Sequence, residues 1–468
     1  MDKKEAIIAW MEAHRQPMLE DLKTLCRIRS VAGEAAEDAP YGAGPARALA
    51  AAMELCAGYG FAVTNYGWRV ATADLGAAAG RQLDILAHLD VVGEGDGWDS
   101  DPYEPVLRED GYIYGRGVAD DKGGAIAALY AMRCVQELGL PVRSGCRLIL
   151  GTDEESGSGD IAYYYQREKP APHTFTPDAE FPVYNAEKGF YRLGFRKSWA
   201  RETALPRVGR LRGGFRTNVV PTEAWAELEG MRPEQLLAGA APLCAELGSS
   251  CRVEQTETGA KLTVIARGCH AAMPELGINA NTVLFYVLSQ LPLADCASTR
   301  AVADIARLLP HGDWLGRALG IAQEDAVTGA LTCSFTMIEF TEEGLEGLCD
   351  CRVPLCADGD NCKAVADGKL AALGFETAGM MIPPHHTPAE GPFIQTLLRA
   401  YEAYTGKPGA CYSMGGGTYV HDVPGGVAFG IGMPGVEVRM HGANERFPVA
   451  DLLTAAEIFA QVIADLCQ

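Results

Sequence analysis

Eight side chains of the metal-binding type follow short apolar segments or turns in this sequence. They are His88, Asp90, Asp120, Asp121, Glu154, Glu155, Asp178 and His441. Each alone is weak evidence, because a single histidine at a strand end is usually structural and adjacent acids usually form a solvated turn. Together they are the imidazole and carboxylate ligands that zinc takes, and two metal ions about 3.5 to 4 Å apart need one bridging carboxylate. The set therefore predicts a metal site, with Asp120 as a candidate bridge.

Asp90 has a candidate role beside His88. A metal-binding imidazole needs an acceptor on its second ring nitrogen. Residues two apart in an extended segment point to the same side. We therefore expect Asp90 to orient His88.

The elements that position these residues are predicted from the spacing of apolar residues. Segments 83–87 and 147–150 are short apolar runs typical of buried strands, and segment 124–138 has helical spacing with Gly139 as its stop. Polar residues follow both strands directly, beginning at His88 and Thr152. Because open α/β sheets place their sites beyond the carboxyl ends of the strands, these polar residues are expected to share one edge.

The pattern of elements changes near residue 188, which predicts a second domain. Strand-like runs then alternate with helical stretches, and Pro383-Pro384 is the predicted hinge before helical and strand patterns resume towards His441. A terminal helix is predicted over 449–466. We predict a discontinuous catalytic domain, residues 1–188 and 385–468, interrupted by an inserted domain, residues 189–384. Near the N-terminus, apolar residues at helical spacing over 6–27 are interrupted by Pro17, which predicts two helices or one kinked helix.

Composition excludes several classes of protein. The 468 residues are 48% hydrophobic and carry a net charge of −21, which argues against disorder and repels nucleic acid. We expect a cytoplasmic protein without membrane contact, because no apolar run resembles a signal peptide or approaches the roughly 20 residues of a membrane span. The 15 cysteines suit free thiols in a reducing compartment, and the run Cys349, Cys351, Cys356 and Cys362 matches no zinc-binding pair spacing.

Four motifs give the chain a specific resemblance. The residues from Asp178 to Pro182 in the fourth motif, together with two further motifs, narrow it. The four are His88-Leu89-Asp90-Val91-Val92, Gly115-Arg116-Gly117-Val118-Ala119-Asp120-Asp121-Lys122-Gly123, Thr152-Asp153-Glu154-Glu155-Ser156-Gly157 and Pro177-Asp178-Ala179-Glu180-Phe181-Pro182. The two are Gly415-Gly416-Gly417-Thr418-Tyr419 and His441-Gly442-Ala443-Asn444-Glu445. In this order the chain resembles the dinuclear zinc metallopeptidases of the aminoacylase and carnosinase superfamily, and most of all the bacterial PepV-type dipeptidases.

The resemblance implies an α/β fold and a set of roles. The fold is a phosphorylase/hydrolase-like catalytic domain with a mixed central sheet, plus an inserted α+β lid domain. His88 and Asp178 bind one metal ion, Glu155 and His441 bind the other, and Asp120 bridges both. Glu154 is the general base that takes a proton from the attacking water. A cis peptide bond after Asp120 is also implied.

The same resemblance assigns substrate contacts to the inserted domain. Asn218 matches a residue that holds the substrate, His270 one that stabilises the oxyanion, and Arg352 one that pairs with the C-terminal carboxylate. A guanidinium suits a carboxylate in two-point contact, and a histidine or asparagine donor suits developing negative charge. Thr418, in the glycine-rich turn, is a further candidate for substrate binding. The turn lacks the lysine of a phosphate-binding loop.

The predicted activity is metal-dependent hydrolysis of short peptides with a free N-terminus, most of all dipeptides. The partners are then a small peptide substrate and two divalent metal ions, with zinc favoured and manganese or cobalt open, since the ligands serve all three. The inserted domain is longer than the single small domain of the dimeric deacylases, so the resemblance implies the dipeptidase type and a monomer. Two alternatives remain at this point: a deacylase or desuccinylase of the same superfamily, and a relative that binds metal or peptide without turnover.

Overall fold

The chain folds into two compact units. The computed structural model describes residues 2–76 and 80–468. The first unit comprises Met1–Ala186, His386–Ser413 and Gly417–Gln468, and the second comprises Glu187–His385 and Met414–Gly416. The first unit thus consists of separate stretches of the chain.

The helices and strands of the described residues have the following bounds. The helices are α1 Lys3–Ala13, α2 Arg15–Cys26, α3 Ala43–Gly58, α4 Lys122–Glu137, α5 Gly159–Tyr165, α6 Pro233–Glu246, α7 Ala280–Gln290, α8 Ala297–Leu308, α9 Ala364–Ala371, α10 Pro392–Thr405 and α11 Val449–Leu466. The first strands are β1 Ala62–Tyr66, β2 Val70–Leu75, β3 Leu83–His88, β4 Val106–Leu107, β5 Tyr112–Tyr114, β6 Cys146–Gly151, β7 His173–Thr176, β8 Ala179–Glu180 and β9 Val183–Glu187. The next strands are β10 Gly189–Ser198, β11 Arg207–Gly213, β12 Val219–Val220, β13 Glu223–Glu229, β14 Ser250–Gln255, β15 Gly259–Ile265, β16 Cys269–His270, β17 Glu324–Asp325, β18 Gly329–Ala330, β19 Thr332–Thr341 and β20 Gly344–Val353. The last strands are β21 Glu376–Ala378, β22 Met381–Ile382, β23 His385–His386, β24 Cys411–Met414, β25 Gly426–Ala428, β26 Ile431–Gly432 and β27 Arg446–Pro448.

A mixed sheet forms the centre of the first unit. Its strand order is β1-β2-β6-β3-β7-β25-β9-β23, with β24 also paired to β9. Strands β6, β3, β7 and β25 are parallel neighbours, whereas β1, β2 and β6 pair antiparallel. The central strand β3 is buried along its whole length, and α4 packs against α11. This architecture confirms the predicted α/β fold with a mixed central sheet.

The register of β3 and β6 decides where the polar residues lie. The two strands are parallel, and His88 at the end of β3 pairs with Gly151 at the end of β6. The residues that follow both strands therefore leave the sheet at the same edge, as predicted from the alternation of strand and helix.

The second unit is built on an antiparallel sheet. Its order is β14-β15-β13-β11-β19-β20-β10-β21, with β22 also paired to β10. Helices α6, α7, α8 and α9 belong to this unit, which has a hydrophobic core of its own. A separate two-stranded ribbon joins β12 to β16. The unit is of the α+β type that the resemblance implied.

The N-terminal helical region breaks at His14 rather than at Pro17. Pro17 occupies the first turn of α2, where a backbone N–H has no partner within the helix and proline is tolerated. Helix α11 begins and ends at the predicted residues, 449 and 466. No helix among the described residues combines the length and apolar character needed to cross a membrane.

Candidate metal centre and substrate-binding residues

Asp120 lies between two histidines from distant parts of the chain. Its Oδ1 is 2.9 Å from Nε2 of His88, and its Oδ2 is 2.8 Å from Nε2 of His441. The two oxygens of one carboxylate thus face two different imidazoles. This is the arrangement that a bridging carboxylate requires.

One further carboxylate stands beside each imidazole. Asp178 Oδ2 is 3.7 Å from Nε2 of His88, and Glu155 Oε1 is 3.2 Å from Nε2 of His441. The donor atoms of His88, Asp120 and Asp178 lie within 4.8 Å of one another, as do those of Asp120, Glu155 and His441. The structure therefore brings the five predicted ligands into two groups that share Asp120.

The ends of secondary-structure elements carry these ligands. His88 is the last residue of β3, and Asp120 precedes α4, with a cis peptide bond to Asp121 as the resemblance implied. Glu154 and Glu155 open a short 3-10 helix that follows β6. His441 lies in a loop before β27 with a left-handed φ of 60°, a conformation that is uncommon for a residue with a side chain.

Asp90 contacts both the histidine and the acidic turn. Nδ1 of His88 is 3.0 Å from the backbone carbonyl oxygen of Asp90 and 3.4 Å from its Oδ1. The Asp90 carboxylate also accepts the backbone N–H groups of Glu154 at 3.2 Å and Glu155 at 3.1 Å. Asp90 can therefore orient His88, and it also fixes the turn that carries the two glutamates.

The two imidazoles attract protons strongly in this cluster. Hydrogen bonds to Asp120 and Glu155 raise the pKa of His441 to about 10. Burial lowers the pKa of His88, but hydrogen bonds to Asp120 and Asp90 outweigh it, so that this pKa lies well above its usual value. Burial alone raises the pKa of Asp120, yet the hydrogen bonds from His441 and His88 outweigh it and hold the pKa well below its ordinary value.

The carboxyl groups of Glu154 and Asp178 have a raised pKa for a different reason. Burial raises the pKa of Glu154 to about 8, and Asp120, Glu155 and Asp90 add to this increase. Burial and the neighbouring Asp120 also raise the pKa of Asp178 well above its usual value. The cluster is rich in buried negative charge, and positive charge placed among its oxygens lowers its free energy.

The donor set fits divalent cations. Each group of three offers one imidazole and two carboxylates, a mixture of nitrogen and oxygen ligands that zinc and related metals accept. The shared carboxylate presents one oxygen to each group. The fit therefore rests on the geometry and the charge of this cluster.

The second unit brings Asn218 and His270 together on its small ribbon. Val219 of β12 pairs with His270 of β16, and the backbone N–H of Ala271 donates to the carbonyl oxygen of Asn218 at 2.9 Å. The Ala272 backbone N–H donates to Nδ1 of His270 at 3.2 Å. Since Nδ1 accepts, the neutral ring carries its proton on Nε2, which makes that nitrogen a donor.

Arg352 is a buried and rigidly held guanidinium in the second unit. Its Nε and Nη2 donate to the two carboxylate oxygens of Asp350 at 2.6 and 3.1 Å, and its Nη1 donates to the carbonyl oxygen of Gly415 at 2.7 Å. The guanidinium also lies over the ring of Phe190, 4.5 Å from its centroid. These contacts use three of the five guanidinium N–H groups, which leaves two for another acceptor.

Thr418 caps a short helix in the first unit. Its side chain accepts the backbone N–H of Val420 at 3.4 Å at the start of the 3-10 helix Tyr419–Asp422. The residue is buried, with 9% of its surface exposed. The structure thus gives Thr418 a local structural contact in addition to the substrate contact predicted for it.

Comparison with known proteins gives a family match over most of the chain. The model of "Peptidase family M20/M25/M40" matches residues 85–465. Among curated proteins, the Beta-Ala-Xaa dipeptidase of Lactobacillus delbrueckii subsp. lactis is 33% identical over 461 residues, which covers 97% of each chain. The chain belongs to peptidase family M20/M25/M40. It is therefore a hydrolase, and the resemblance found in the sequence motifs is confirmed.

Two solved structures show the same fold at low sequence identity. Human carnosine dipeptidase 1 has a TM-score of 0.61 at 15% identity, covering 100% of this chain and 99% of the other. A dinuclear metal-binding M20 peptidase of Bacillus subtilis has a TM-score of 0.50 at 10% identity, covering 97% and 99%. The M20 fold is thus retained after most of the sequence has changed.

Sequence reasoning missed two acids, one in each unit, that hold candidate site residues or the turn beside them. Asp160 accepts the backbone N–H groups of Thr152 and Asp153 at 2.5 and 3.0 Å and the hydroxyl of Tyr419 at 2.5 Å. Asp350 is the partner of Arg352. Asp350 stands two residues before Arg352, as Asp90 follows His88, so the same spacing argument could have identified it.

Proposed function

We propose that this M20 peptidase hydrolyses unblocked dipeptides with the help of two divalent metal ions. The observation that carries the proposal is the placement of Asp120, whose two carboxylate oxygens are within 3 Å of His88 and His441. The dipeptidase names of its relatives support the substrate class, and the Lactobacillus protein's name favours β-alanine among the residues accepted at the N-terminal position. Dinuclear metal binding is stated for the Bacillus subtilis family member.

In this proposal five residues hold the metal ions. His88 and Asp178 would hold one ion, Glu155 and His441 would hold the other, and Asp120 would be shared by both. Two divalent cations supply Lewis acidity and lower the pKa of a water molecule that reaches them. We propose zinc, while manganese and cobalt are accepted by the same ligand types.

Glu154 moves the proton. Glu154 opens the short 3-10 helix that comes after β6, and its carboxyl group is near those of Asp120 and Glu155. Burial raises its pKa to about 8 in the metal-free protein. In the proposed reaction the Glu154 carboxylate takes a proton from the water whose oxygen bonds to the scissile carbonyl carbon. The C–N bond then breaks, and Glu154 gives the proton to the leaving amine. Asp90 holds the backbone N–H groups of Glu154 and Glu155 and thereby limits the movement of this base.

We propose that residues 189–384 form an inserted lid domain that binds the substrate, while residues 1–188 and 385–468 form the catalytic domain. His270 stabilises negative charge on the substrate oxygen through its Nε2–H, and Asn218 beside it on the ribbon holds the substrate. Arg352 binds the C-terminal carboxylate with its remaining N–H groups. Thr418 contributes a further substrate contact.

We also propose that the enzyme works as a monomer in the cytoplasm. All 15 cysteines lie in the described residues and carry free thiols, which suits a reducing compartment. The net charge of −21 disfavours contact with nucleic acid.

The test compares an unblocked dipeptide with its N-acetylated counterpart. Both are offered to the zinc-loaded and the manganese-loaded enzyme, with a chelated sample as control, and β-Ala-Xaa and Ala-Xaa are compared as unblocked substrates. We expect metal-dependent cleavage of the unblocked dipeptides alone. Preference for the acetylated form would move the protein to the deacylases, and cleavage of neither would support a silent relative.

A further inference from the structure

Glu445 is a fully buried carboxylate that no step of the proposed reaction uses. It lies four residues after the candidate metal ligand His441, and none of its surface is exposed. Its Oε2 accepts from Nη1 of Arg116 at 2.6 Å. Arg116 is itself only 1% exposed, so the two charges form an ion pair inside the first unit. A buried pair of this kind is costly to desolvate and is weak evidence for stability alone.

The second oxygen of Glu445 organises the loop that carries Asp120. Oε1 accepts three backbone N–H groups from that loop, those of Gly117 at 3.0 Å, Ala119 at 2.9 Å and Asp120 at 3.3 Å. The third of these is the N–H of the candidate bridging residue. One carboxylate oxygen therefore fixes the backbone of this loop from Gly117 to Asp120.

Arg116 makes the matching connection to the loop that carries His441. Its Nη2 donates to the carbonyl oxygens of Gly442 at 3.3 Å, Gly93 at 3.3 Å and Glu94 at 3.4 Å. Gly442 directly follows His441, and Gly93 and Glu94 follow the segment that begins at His88. The guanidinium thus holds the backbone next to one ligand and close to a second.

The His441 loop needs such support because of its backbone conformation. Arg439, His441 and Asn444 all have φ near 60°, the left-handed region that residues with side chains rarely adopt. Asn444 is held by the backbone N–H of Asp99, which donates to its Oδ1 at 2.9 Å. Backbone conformations of this type persist when the surrounding structure determines them.

We propose that Glu445 and Arg116 are a positioning pair that sets the distance between Asp120 and His441 and so tunes metal affinity at the site they share. The inference rests on the proposed function, because it takes these two residues as metal ligands. Neither member of the pair contacts the substrate in this proposal. Their effect passes through the backbone of the two loops, and partners of this kind typically change metal affinity 10- to 100-fold when they are replaced.

The test is the Glu445→Gln variant, with metal affinity measured by calorimetric titration of Zn²⁺ and Mn²⁺ into the metal-free protein. The glutamine side chain keeps the shape of glutamate and one oxygen that accepts the N–H groups of the Asp120 loop. It removes the negative charge opposite Arg116. We expect affinity to fall about 10- to 100-fold, most of all for the ion that His441 binds. At saturating Mn²⁺ we expect kcat to recover towards the wild-type value with KM unchanged.

Asp74→Asn is the matched control. Asp74 forms a similar bidentate pair with Arg147 between strands β2 and β6 of the same unit, at 2.6 and 3.0 Å. We expect this control to lower the thermal midpoint without changing metal affinity. If both variants lose affinity in proportion to their loss of stability, the positioning role is overturned.

Glu445→Asp is the second variant, for the case in which Glu445→Gln does not fold. It keeps the charge but shortens the side chain by one methylene group, so we expect metal affinity to fall by less than in the glutamine variant. If the variant that folds binds metal ions with wild-type affinity, the inference is wrong. The proposed function still stands in that case, provided that the wild-type enzyme binds two ions and cleaves dipeptides. Failure of the wild-type protein to bind two ions would overturn the proposed function and the inference together.

Discussion

At the residue scale, the fold holds the acids of the candidate metal centre, or the turn that carries them, in place. Asp120 faces two imidazoles, Asp90 contacts His88 and two backbone N–H groups, and Glu154 lies in a turn fixed by Asp90. Such contacts limit the rotamers of the side chains before any substrate binds. Preorganisation of this kind is what a hydrolytic site requires.

The role of Glu154 gives the first prediction. In Glu154→Gln the carboxylate that accepts the proton is lost, whereas the side chain keeps its size and the five proposed ligands are unchanged. We expect kcat to fall about 10²- to 10⁴-fold. Elemental analysis should show that the variant still binds two metal ions. Asp153→Asn, in the same turn, is the control and is expected to stay within a few-fold of wild type. Near-normal turnover in Glu154→Gln would exclude Glu154 as the base.

The variant Arg352→Lys tests whether Arg352 binds the C-terminal carboxylate of the substrate. Lysine keeps the positive charge beside Asp350 but loses the planar fork, so we expect KM for a dipeptide to rise about 10-fold, since hydrogen bonds to charged groups contribute roughly 1.5 to 3 kcal/mol. The corresponding dipeptide amide lacks the carboxylate, and its KM should change little. Arg196→Lys, at an exposed pair with Glu376 in the same unit, is the matched control. An equal rise in KM for the dipeptide and its amide would contradict the assignment.

At the element scale, the parallel pairing of β3 and β6 and the tight start of α4 place several of the candidate ligands. A Cβ atom on Gly124 would lie 2.0 Å from Oδ1 of Asp121, so only glycine allows the first turn of α4 to approach the Asp120-Asp121 loop this closely. Helix α11, buried along much of its length, packs against α4 from the other end of the chain. The C-terminal segment therefore supports the helix that follows the candidate bridge.

One acid on α11 predicts a pH-dependent stability. Burial raises the pKa of Glu457 from 4.5 to about 7, and the nearby Glu12 adds to this increase. Because the folded state binds this proton more tightly, the stabilisation is complete below pH 4.5 and is lost as the pH rises through 7. Glutamine does not ionise, so Glu457→Gln avoids the free-energy cost of burying a charged carboxylate at high pH.

We expect Glu457→Gln to raise the free energy of unfolding by roughly 1 kcal/mol at pH 8, a value reduced for solvent screening of this partly exposed group. No gain is expected at pH 4.5. Thermal unfolding at the two pH values measures the difference, with Glu54→Gln, an exposed glutamate on α3, as the control. A gain of the same size at both pH values would show that ionisation of Glu457 is not its cause.

At the scale of the whole molecule, the metal ions proposed here couple to stability and to pH. The pKa of His441 is raised to about 10 and that of His88 well above 6.5 in the metal-free protein. The protons on these two rings therefore stabilise the metal-free fold most fully below pH 6.5, and this contribution is lost as the pH rises through the folded pKa values. Metal binding must displace the same protons, so metal affinity is expected to increase with pH.

Removal of the metal ions by a chelator tests this coupling. We expect a chelator to lower the thermal midpoint by roughly 5 to 10 °C, because a ligand at 100 times its Kd contributes about 2.7 kcal/mol. The decrease should be larger at pH 8.5 than at pH 6.5, and calorimetry in buffers of different ionisation enthalpy should show release of protons on metal binding. His441→Ala should respond less to the chelator than wild type. An unchanged midpoint on chelation of the wild-type enzyme would contradict metal binding to the folded state.

Much of the fold could be predicted from the sequence, because several elements have strong local signals. Helix α11 and strands β3 and β6 were found at or within one or two residues of their bounds. The two strands are short, mainly apolar runs, and the apolar residues of α11 recur at helical spacing. Strand β1 was missed because most of its residues are exposed and give no apolar alternation. Helix α8 was missed although its buried residues recur at helical spacing, so the signal was present.

The sequence by itself determined the residue types of the site, the order of the motifs and the α/β class, because these depend on local composition and on segments that carry their own periodicity. Only the tertiary structure decided that Asp120 faces both His88 and His441, that the carbonyl oxygen of Gly415 accepts a hydrogen bond from Arg352, and that Glu445 holds the Asp120 loop. These contacts join residues whose sequence separation carries no periodic signal. They depend on strand register and loop conformation, which are set by packing across the whole unit rather than by neighbouring residues.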